Sequence, residues 1–364
     1  MEPPSVLTHT WRRREAGKTR PFPVIQGPIS VNTKSLPWEP PTPYINPMPK
    51  TKVHKLAVIG DPISHSLSPA MHNAALRKRG APYRYEALRV RPEKLEAFLK
   101  GKARGLAGFN VTVPHKEAVL PHLHRLAYEA ELIGAVNTVV NRDGELVGFN
   151  TDGAGYLMSL HADKKFDPRG KRVVILGAGG AARALAVVLS LARARSVTVA
   201  NRTPKRAEQL ARELAFRLPK SKLLACPLEG KDLESALKSC DLLINTTRVG
   251  LGGTSFVDFP WEKLPRRALV SDIVYTPRMT PFLKAAKRRG HPIHTGEGML
   301  VFQGALAFEI WTGLKPDVRL MRRELLRRLA VKNRGSAPVR KKRPRRGGAL
   351  RPLPKKSRLK GRRS

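Results

Sequence analysis

Lys116 and Asp152 are the two side chains of this sequence best suited to moving a proton. Lys116 follows the β-branched run Val111-Thr112-Val113 and a proline, which predicts a strand end where a side chain is held firmly yet stays exposed. A lysine held near a carboxylate can deliver a proton to a developing alkoxide and take it back in the reverse direction. The pair therefore predicts the interconversion of a carbonyl and an alcohol. Taken alone, Lys116 would be an ordinary surface lysine, and His115 beside it is the alternative base.

Hydroxyl and amide side chains elsewhere in the sequence favour a polyhydroxylated acid as the substrate. Ser66 and Ser68 lie two residues apart, so on an extended segment they would point to the same side and suit a carboxylate. The alternative is that this serine pair, which precedes a proline, belongs to a helix-capping turn. Thr112 and Asn137 supply further donors and acceptors, although Asn137 is also typical of a turn.

The glycine-rich segment Leu176-Gly177-Ala178-Gly179-Gly180-Ala181-Ala182 lies between an apolar strand and an alanine-rich helix. In that context the first glycine permits a tight turn, the second lets a pyrophosphate approach the backbone, and the helix N-terminus supplies partial positive charge. Ala182 stands where a third glycine is usual, and a small residue there still permits close packing. We therefore expect a dinucleotide cofactor, the alternative being a plain structural turn.

The end of the next predicted strand favours NADP over NAD. NAD enzymes typically place an acid about 20 residues after the glycines, to bind the ribose 2′-hydroxyl. Here the strand ends Asn201-Arg202-Thr203-Pro204-Lys205-Arg206, without an acid. Arg202 can pair with a 2′-phosphate, Thr203 can donate its hydroxyl, and Lys205 or Arg206 can add charge. The alternative is that these residues form the solvated first turn of a helix.

Short apolar strands alternate with helical segments, which predicts an α/β fold with two domains and mostly parallel sheets. The predicted strands are 56–60, 83–90, 108–113, 172–176, 196–200, 242–245, 268–273 and 291–295. The predicted helices are 69–80, 92–101, 153–163, 299–312 and 317–329. We divide the chain into a substrate-binding catalytic domain over 51–152 and a Rossmann nucleotide-binding domain over 153–298. The basic tails, 1–50 and 331–364, predict disorder, with Met48 an alternative start of translation.

The formal net charge of +41 over 364 residues favours anionic ligands and permits non-specific contact with nucleic acid. Residues 331–364 alone carry 15 lysines and arginines and no acid. No apolar run is long enough to cross a membrane, and the N-terminal segment has no apolar signal core. Cys226 and Cys240 lack metal-type partners nearby, so we expect reduced thiols, no metal site and a cytoplasmic protein.

Taken together, the motifs resemble the shikimate dehydrogenase family over about residues 55–330. They are Ser64–Pro69, Asn110–Glu117, Gly134–Thr138, Asn150–Gly153, Gly177–Ala182, Asn201–Thr203 and Gly296–Ala305. The resemblance implies reversible reduction of 3-dehydroshikimate to shikimate with NADPH, a step of chorismate and aromatic amino-acid biosynthesis. It also implies a site in the cleft between the two domains, the first being completed by C-terminal helices within 299–330.

The resemblance assigns a role to each site residue, with Lys116 as the acid and base and Asp152 assisting it. The substrate ligands that it implies are Ser66, Ser68, Thr112, Lys116, Asn137, Asp152, Tyr275 and Gln303. The cofactor ligands that it implies are Gly177, Ala178, Gly179, Gly180, Ala181, Asn201, Arg202, Thr203, Arg206, Ile273, Gly296 and Met299.

Two departures and three rival functions accompany the resemblance. Arg248 stands where a small residue is expected, and Thr276 replaces an expected asparagine. The nearest rival is a quinate/shikimate dehydrogenase of broader specificity, which tends to use NAD and to alter the serine pair. Another is a related enzyme with a different substrate. A rival of another class is a nucleic-acid-binding protein that acts through the basic tail, which has no aromatic residues for base stacking. The sequence is compatible with a homodimer and does not determine the oligomeric state.

Overall fold

The computed structural model describes residues 53–335, which form two six-stranded sheets flanked by helices. The strands of the first sheet are β1 (His54–Gly60), β2 (Tyr83–Arg89), β3 (Gly108–Val111), β4 (Arg125–Leu126), β5 (Thr138–Arg142) and β6 (Glu145–Phe149). Those of the second are β7 (Arg172–Leu176), β8 (Ser196–Asn201), β9 (Leu223–Pro227), β10 (Leu242–Asn245), β11 (Leu269–Asp272) and β12 (Ile293–His294). The helices are α1 (Ser68–Arg79), α2 (Leu95–Lys100), α3 (His115–Ala118), α4 (Tyr128–Ile133), α5 (Asp152–Lys164), α6 (Gly180–Leu191), α7 (Pro204–Arg217), α8 (Lys231–Lys238), α9 (Pro281–Arg288), α10 (Glu297–Thr312) and α11 (Val318–Gly335).

The first sheet has the strand order β2-β1-β3-β5-β6-β4. β1 runs parallel to β2 and β3, and β4 runs parallel to β6. β5 runs antiparallel to both of its neighbours, β3 and β6. The β5–β6 hairpin turns at Asp143 and Gly144, whose φ angles of 50° and 93° are the left-handed values that a two-residue Asp-Gly turn requires. The sheet is therefore mostly parallel, as predicted, with an antiparallel hairpin that the prediction lacked.

The second sheet is parallel throughout and has the order β12-β11-β10-β7-β8-β9. Its strands are short and almost continuously apolar because helices cover both of its faces. This is the doubly wound Rossmann arrangement, in which ligands bind beyond the carboxyl ends of the strands. The ends of β7, β10 and β11 therefore define one side of a cleft.

Two crossing helices, α5 and α10, join the sheets. Gly155 of α5 lies so close to α10 that an added Cβ would stand 2.5 Å from the amide nitrogen of Gln303. Phe308 and Trp311 of α10 share an apolar core with Met321 of α11 and Leu56 of β1. The C-terminal helices thus pack on the first sheet, as the resemblance implied.

Most predicted elements are confirmed to within one or two residues, and the differences have physical reasons. The strand predicted over 108–113 ends at Val111, because the chain turns at Pro114 into the one-turn helix that carries Lys116. The helix predicted over 92–101 is a 3₁₀ turn followed by α2. α11 continues to Gly335, into the segment assigned to the tail, while the remaining tail residues lie outside 53–335. Within 53–335 no helix has the length and apolar character needed to cross a bilayer.

Candidate active site

Lys116 and Asp152 meet at the carboxyl edge of the first sheet. Lys116 lies in α3 just after β3, and Asp152 is the first residue of α5. The lysine Nζ lies 2.5 Å from Asp152 Oδ2, and the two side chains are only 19% and 7% exposed. The N-terminus of α5 adds a favourable dipole for the carboxylate. The pair is therefore close, largely shielded from water and reachable from one side.

Asn137 holds the other oxygen of this carboxylate and links it to a second helix. Its Nδ2 donates to Asp152 Oδ1 at 2.9 Å and approaches Gln303 Oε1 at 3.3 Å. Its Oδ1 accepts from the Thr151 amide at 2.8 Å. Four of the predicted substrate ligands, Lys116, Asn137, Asp152 and Gln303, are thus brought together. Thr151, whose hydroxyl lies 2.9 Å from Asn137 Nδ2, belongs to the same cluster and was not among the predicted site residues.

A buried hydrogen-bond chain runs from Asn137 into the first sheet through residues that sequence reasoning missed. The Thr138 hydroxyl bridges Asn137 Oδ1 and Asn110 Nδ2, each at 3.0 Å. Asn110 Oδ1 accepts from the Tyr85 hydroxyl at 2.6 Å. Burial raises the pKa of Tyr85, and a hydrogen bond with the Ser68 hydroxyl offsets part of that rise. The chain therefore runs from the Lys116–Asp152 cluster to the hydroxyl of Tyr85, whose raised pKa keeps it neutral.

The expected extended geometry of the serine pair is wrong. Leu67 between the two serines has helical angles (φ −93°, ψ −5°), and Ser68 already begins α1. The Ser66 hydroxyl accepts from the Ser68 amide at 3.3 Å in a short turn before α1, whose N-cap residue, Leu67, makes no capping hydrogen bond from its side chain. Thr112 is fixed differently: its amide donates to the Ile59 carbonyl, and its methyl group stands over Gly60, where a Cβ would come within 2.5 Å of it.

The glycine turn has the shape that a dinucleotide needs. Gly177 has φ 111°, and a Cβ there would meet the Thr246 hydroxyl at 2.7 Å. Gly179 faces open space, so a bulky group can approach its backbone. Gly180 begins α6, and its Cβ position lies 3.9 Å from Lys116 Cβ. The turn, with Ala178 and Ala181 half-buried within it, is therefore next to the proton-transfer pair.

The residues after β8 form an exposed cationic edge. Arg202, Thr203 and Arg206 are exposed, and Thr203 begins α7 without a capping hydrogen bond from its hydroxyl. Asn201 Nδ2 donates to the Thr203 carbonyl at 3.0 Å, which fixes the turn. These donors and the open glycine turn have the chemistry that an NADP molecule with its 2′-phosphate requires.

The remaining predicted cofactor residues follow β11 in the chain, on the cleft wall that the ends of β7, β10 and β11 define. Gly296 lies against the Ile273 carbonyl so closely that no side chain fits. Met299 is buried, whereas Tyr275 packs against the apolar core of the first domain and burial raises its pKa. Arg248 is exposed beyond β10, directly after Thr246 and Thr247, which contact the glycine turn.

Buried Asp272 ends β11 and organises this wall. Its carboxylate accepts from the Thr280 hydroxyl at 2.6 Å, and from the Val274 amide and Asn245 Nδ2 at 3.0 Å each. Burial raises the pKa of Asp272 to about 6, against the three hydrogen bonds, which lower it. Loss of solvation therefore outweighs its hydrogen bonds.

Comparison with known protein families finds models that match three segments of this chain. A family model described as the shikimate dehydrogenase substrate binding domain matches residues 58–139. Models described as shikimate / quinate 5-dehydrogenase and the shikimate 5′-dehydrogenase C-terminal domain match residues 160–250 and 296–326.

Among curated proteins, a shikimate dehydrogenase (NADP(+)) of Geobacter sulfurreducens is 45% identical over 268 residues, which cover 73% of this chain and 94% of that protein. Shikimate 5-dehydrogenase of Thermus thermophilus, solved in complex with NADP(H) and shikimate, is 44% identical with a TM-score of 0.68, covering 75% of this chain and 99% of that one. A quinate dehydrogenase of Corynebacterium glutamicum, solved with NAD, is 30% identical with a TM-score of 0.69, covering 76% and 99%. The chain therefore belongs to the shikimate dehydrogenase family.

Proposed function

We propose that this protein is an NADP-dependent shikimate dehydrogenase that interconverts 3-dehydroshikimate and shikimate, within chorismate and aromatic amino-acid biosynthesis. The observation that carries the proposal is the 2.5 Å contact of Lys116 with Asp152 beside a dinucleotide turn. The NADP-dependent shikimate dehydrogenases among its relatives, at about 45% identity, support the same reaction.

Lys116 is the acid and base of the proposed mechanism. When bound, the nicotinamide cofactor supplies the hydride for reduction and accepts it in oxidation. In reduction, the Lys116 ammonium gives its proton to the carbonyl oxygen as the carbon gains the hydride. In oxidation, the neutral amine takes the hydroxyl proton as the carbon loses the hydride. Asp152 orients the Lys116 Nζ and accepts a hydrogen bond from a substrate hydroxyl. The low exposure of both side chains limits competition from water.

The polar side chains around Lys116 and Asp152 bind different groups of the substrate. Asn137, which donates to Asp152 and to Gln303, binds the ring hydroxyls together with Gln303, and Thr112 and Tyr275 are further ligands. Ser66 and Ser68, joined by the hydrogen bond from the Ser68 amide to the Ser66 hydroxyl, hold the carboxylate. In the proposed division, these ligands belong to the substrate domain and its C-terminal helices, except Tyr275, which the nucleotide domain contributes.

The cofactor side selects NADP by charge. Arg202 pairs with the 2′-phosphate, Thr203 donates a hydroxyl and Arg206 adds charge, while no acid stands at the end of β8 to bind a 2′-hydroxyl. Gly177, Gly179 and the N-terminus of α6 hold the pyrophosphate.

Initial rates of cofactor reduction by the purified protein test this proposal, with shikimate and quinate each crossed with NADP and NAD. We expect fast turnover only for shikimate with NADP. Comparable rates with quinate or NAD would favour the broader class that the Corynebacterium glutamicum enzyme represents, and no turnover with any pair would contradict both.

Three further proposals concern partners and location. Non-specific nucleic-acid contact would arise from the tail, which lies outside residues 53–335. Truncation after residue 335 tests it: catalysis should persist while salt-sensitive retention on DNA is lost. A homodimer is tested by sedimentation, and a cytoplasmic location by fractionation of the native cells.

A further inference from the structure

The loop over residues 273–280, here called the Tyr275 loop, is fastened at both ends by one buried side chain. Asp272 accepts from the Val274 amide at one end and from the Thr280 hydroxyl at the other. Between these ends, Tyr275 reaches across the cleft and packs against the apolar core of the first domain. The middle of the loop therefore decides where Tyr275 stands.

Arg278 attaches the middle of the loop to α10. Its Nε lies 2.7 Å from Glu297 Oε1, which also accepts from the Thr295 hydroxyl at 2.9 Å. The Glu297 side chain is 4% exposed, whereas that of Arg278 is 52% exposed. Within residues 53–335, Glu297 Oε2 has no hydrogen-bond partner. A buried carboxylate needs hydrogen-bond partners, and only one oxygen of this one has them, a half-exposed cation among them.

Stability alone explains this arrangement poorly. An ion pair whose cation is half exposed contributes little to the free energy of unfolding. A buried carboxylate with an orphan oxygen costs free energy relative to an apolar residue of the same size. What the pair does is to fix geometry: Glu297 is the first residue of α10, and Gln303 lies on the second turn of the same helix. One contact therefore sets the Tyr275 loop against the helix that carries Gln303.

We propose that Arg278 and Glu297 are positioning residues that hold Tyr275 at the substrate site, an inference that rests on the proposed function. Neither residue is among the proposed substrate ligands, and within residues 53–335 the hydrogen bonds of the two side chains are with each other and with Thr295. Arg278 determines the position of Tyr275, and Glu297 determines the position of Arg278. By holding Tyr275 in place, the pair strengthens the binding of shikimate without taking part in proton or hydride transfer.

A double-mutant cycle in the full-length enzyme tests this role, with Arg278→Gln, Tyr275→Phe and the combination. Shikimate oxidation by NADP is followed, and KM and kcat are separated. We expect Arg278→Gln to raise the KM for shikimate about tenfold, with the KM for NADP changed less than about twofold. In the Tyr275→Phe background the same substitution should add less than about twofold, because the tyrosine hydroxyl that it positions is already gone.

Two companion variants control the result. Arg278→Lys keeps the charge and should restore most of the affinity for shikimate. Arg327→Gln breaks the exposed pair with Glu324, 2.8 Å apart on α11, and should leave all constants unchanged. Effects of Arg278→Gln and Tyr275→Phe that multiply, an equal rise in the KM for NADP, or an Arg278→Gln enzyme that matches Arg327→Gln would each overturn the positioning role. Failure of the wild type to oxidise shikimate would instead overturn the proposed function, and this inference with it.

Discussion

The carboxyl group of Asp272 should make the protein less stable as pH rises from about 4 to about 6. It is fully buried, and burial raises its pKa from the ordinary 3.8 to about 6. In this window the folded protein keeps the proton while the unfolded chain has lost it, so the stabilisation is complete below pH 3.8 and is lost as pH passes 6. A shift of about two pKa units corresponds to about 3 kcal/mol of unfolding free energy.

Asp272→Asn isolates this contribution. The amide stays neutral at every pH, and its oxygen can still accept from the Val274 amide and Asn245 Nδ2. The stability of the wild type minus that of the variant should therefore fall by about 2 kcal/mol between pH 4 and pH 7. Taking the difference cancels the contributions of groups common to both proteins to the pH dependence of stability. One such group is buried His294, whose pKa is lowered to about 4 and whose effect has the opposite sign.

Urea unfolding at constant ionic strength and several pH values provides the measurement. Asp143→Asn, in the exposed β5–β6 turn, is the matched control and should give a difference that does not vary with pH. A flat difference for Asp272→Asn would refute the reasoning that loss of solvation dominates at this site. A difference that rises with pH would mean that the three hydrogen bonds outweigh burial.

Other substitutions test separate parts of the site. Asn110→Leu removes the acceptor that lies 2.6 Å from the Tyr85 hydroxyl, so it should lower the free energy of unfolding in urea by about 2–4 kcal/mol and weaken shikimate binding. Unchanged stability would contradict the buried chain. Ser66→Ala and Ser68→Ala should raise the KM for shikimate more than that for NADP, and equal effects on both would remove the serines from the carboxylate site. Arg202→Asp should erode the preference for NADP over NAD by about 10²-fold or more, whereas an unchanged ratio would place the 2′-phosphate elsewhere.

How much the sequence could predict depended on whether a signal was local. The strands over 172–176 and 242–245 were predicted to the residue, because buried parallel strands are continuous apolar runs with clear ends. The β5–β6 hairpin was missed although Asp143-Gly144 between two β-branched and apolar runs is its typical signal. For the serine pair the sequence left an extended segment and a helix-capping turn open, whereas in the structure Leu67 has helical angles and Ser68 is the first residue of α1, without a side-chain cap.

For the site, the residue types were predictable and their distances were not. Lys116 and Asp152 were identified by chemistry, but their 2.5 Å contact depends on how β3, α3 and α5 pack. Asn110 and Tyr85 lie in strands and resemble ordinary sheet residues, so their hydrogen bond emerges only from the tertiary fold. Glu297 lies in the motif Gly296–Ala305, but its contact with Arg278 had no signal in the sequence because the two residues lie in different elements.

The most direct test of the central claim compares the wild type with Lys116→Ala in shikimate oxidation by NADP, alongside equilibrium binding of shikimate and NADP to both. If Lys116 transfers the proton, the variant should lose about 10²–10⁴-fold in kcat while both ligands still bind. Near-normal turnover by the variant would contradict the assignment of Lys116 as the acid and base.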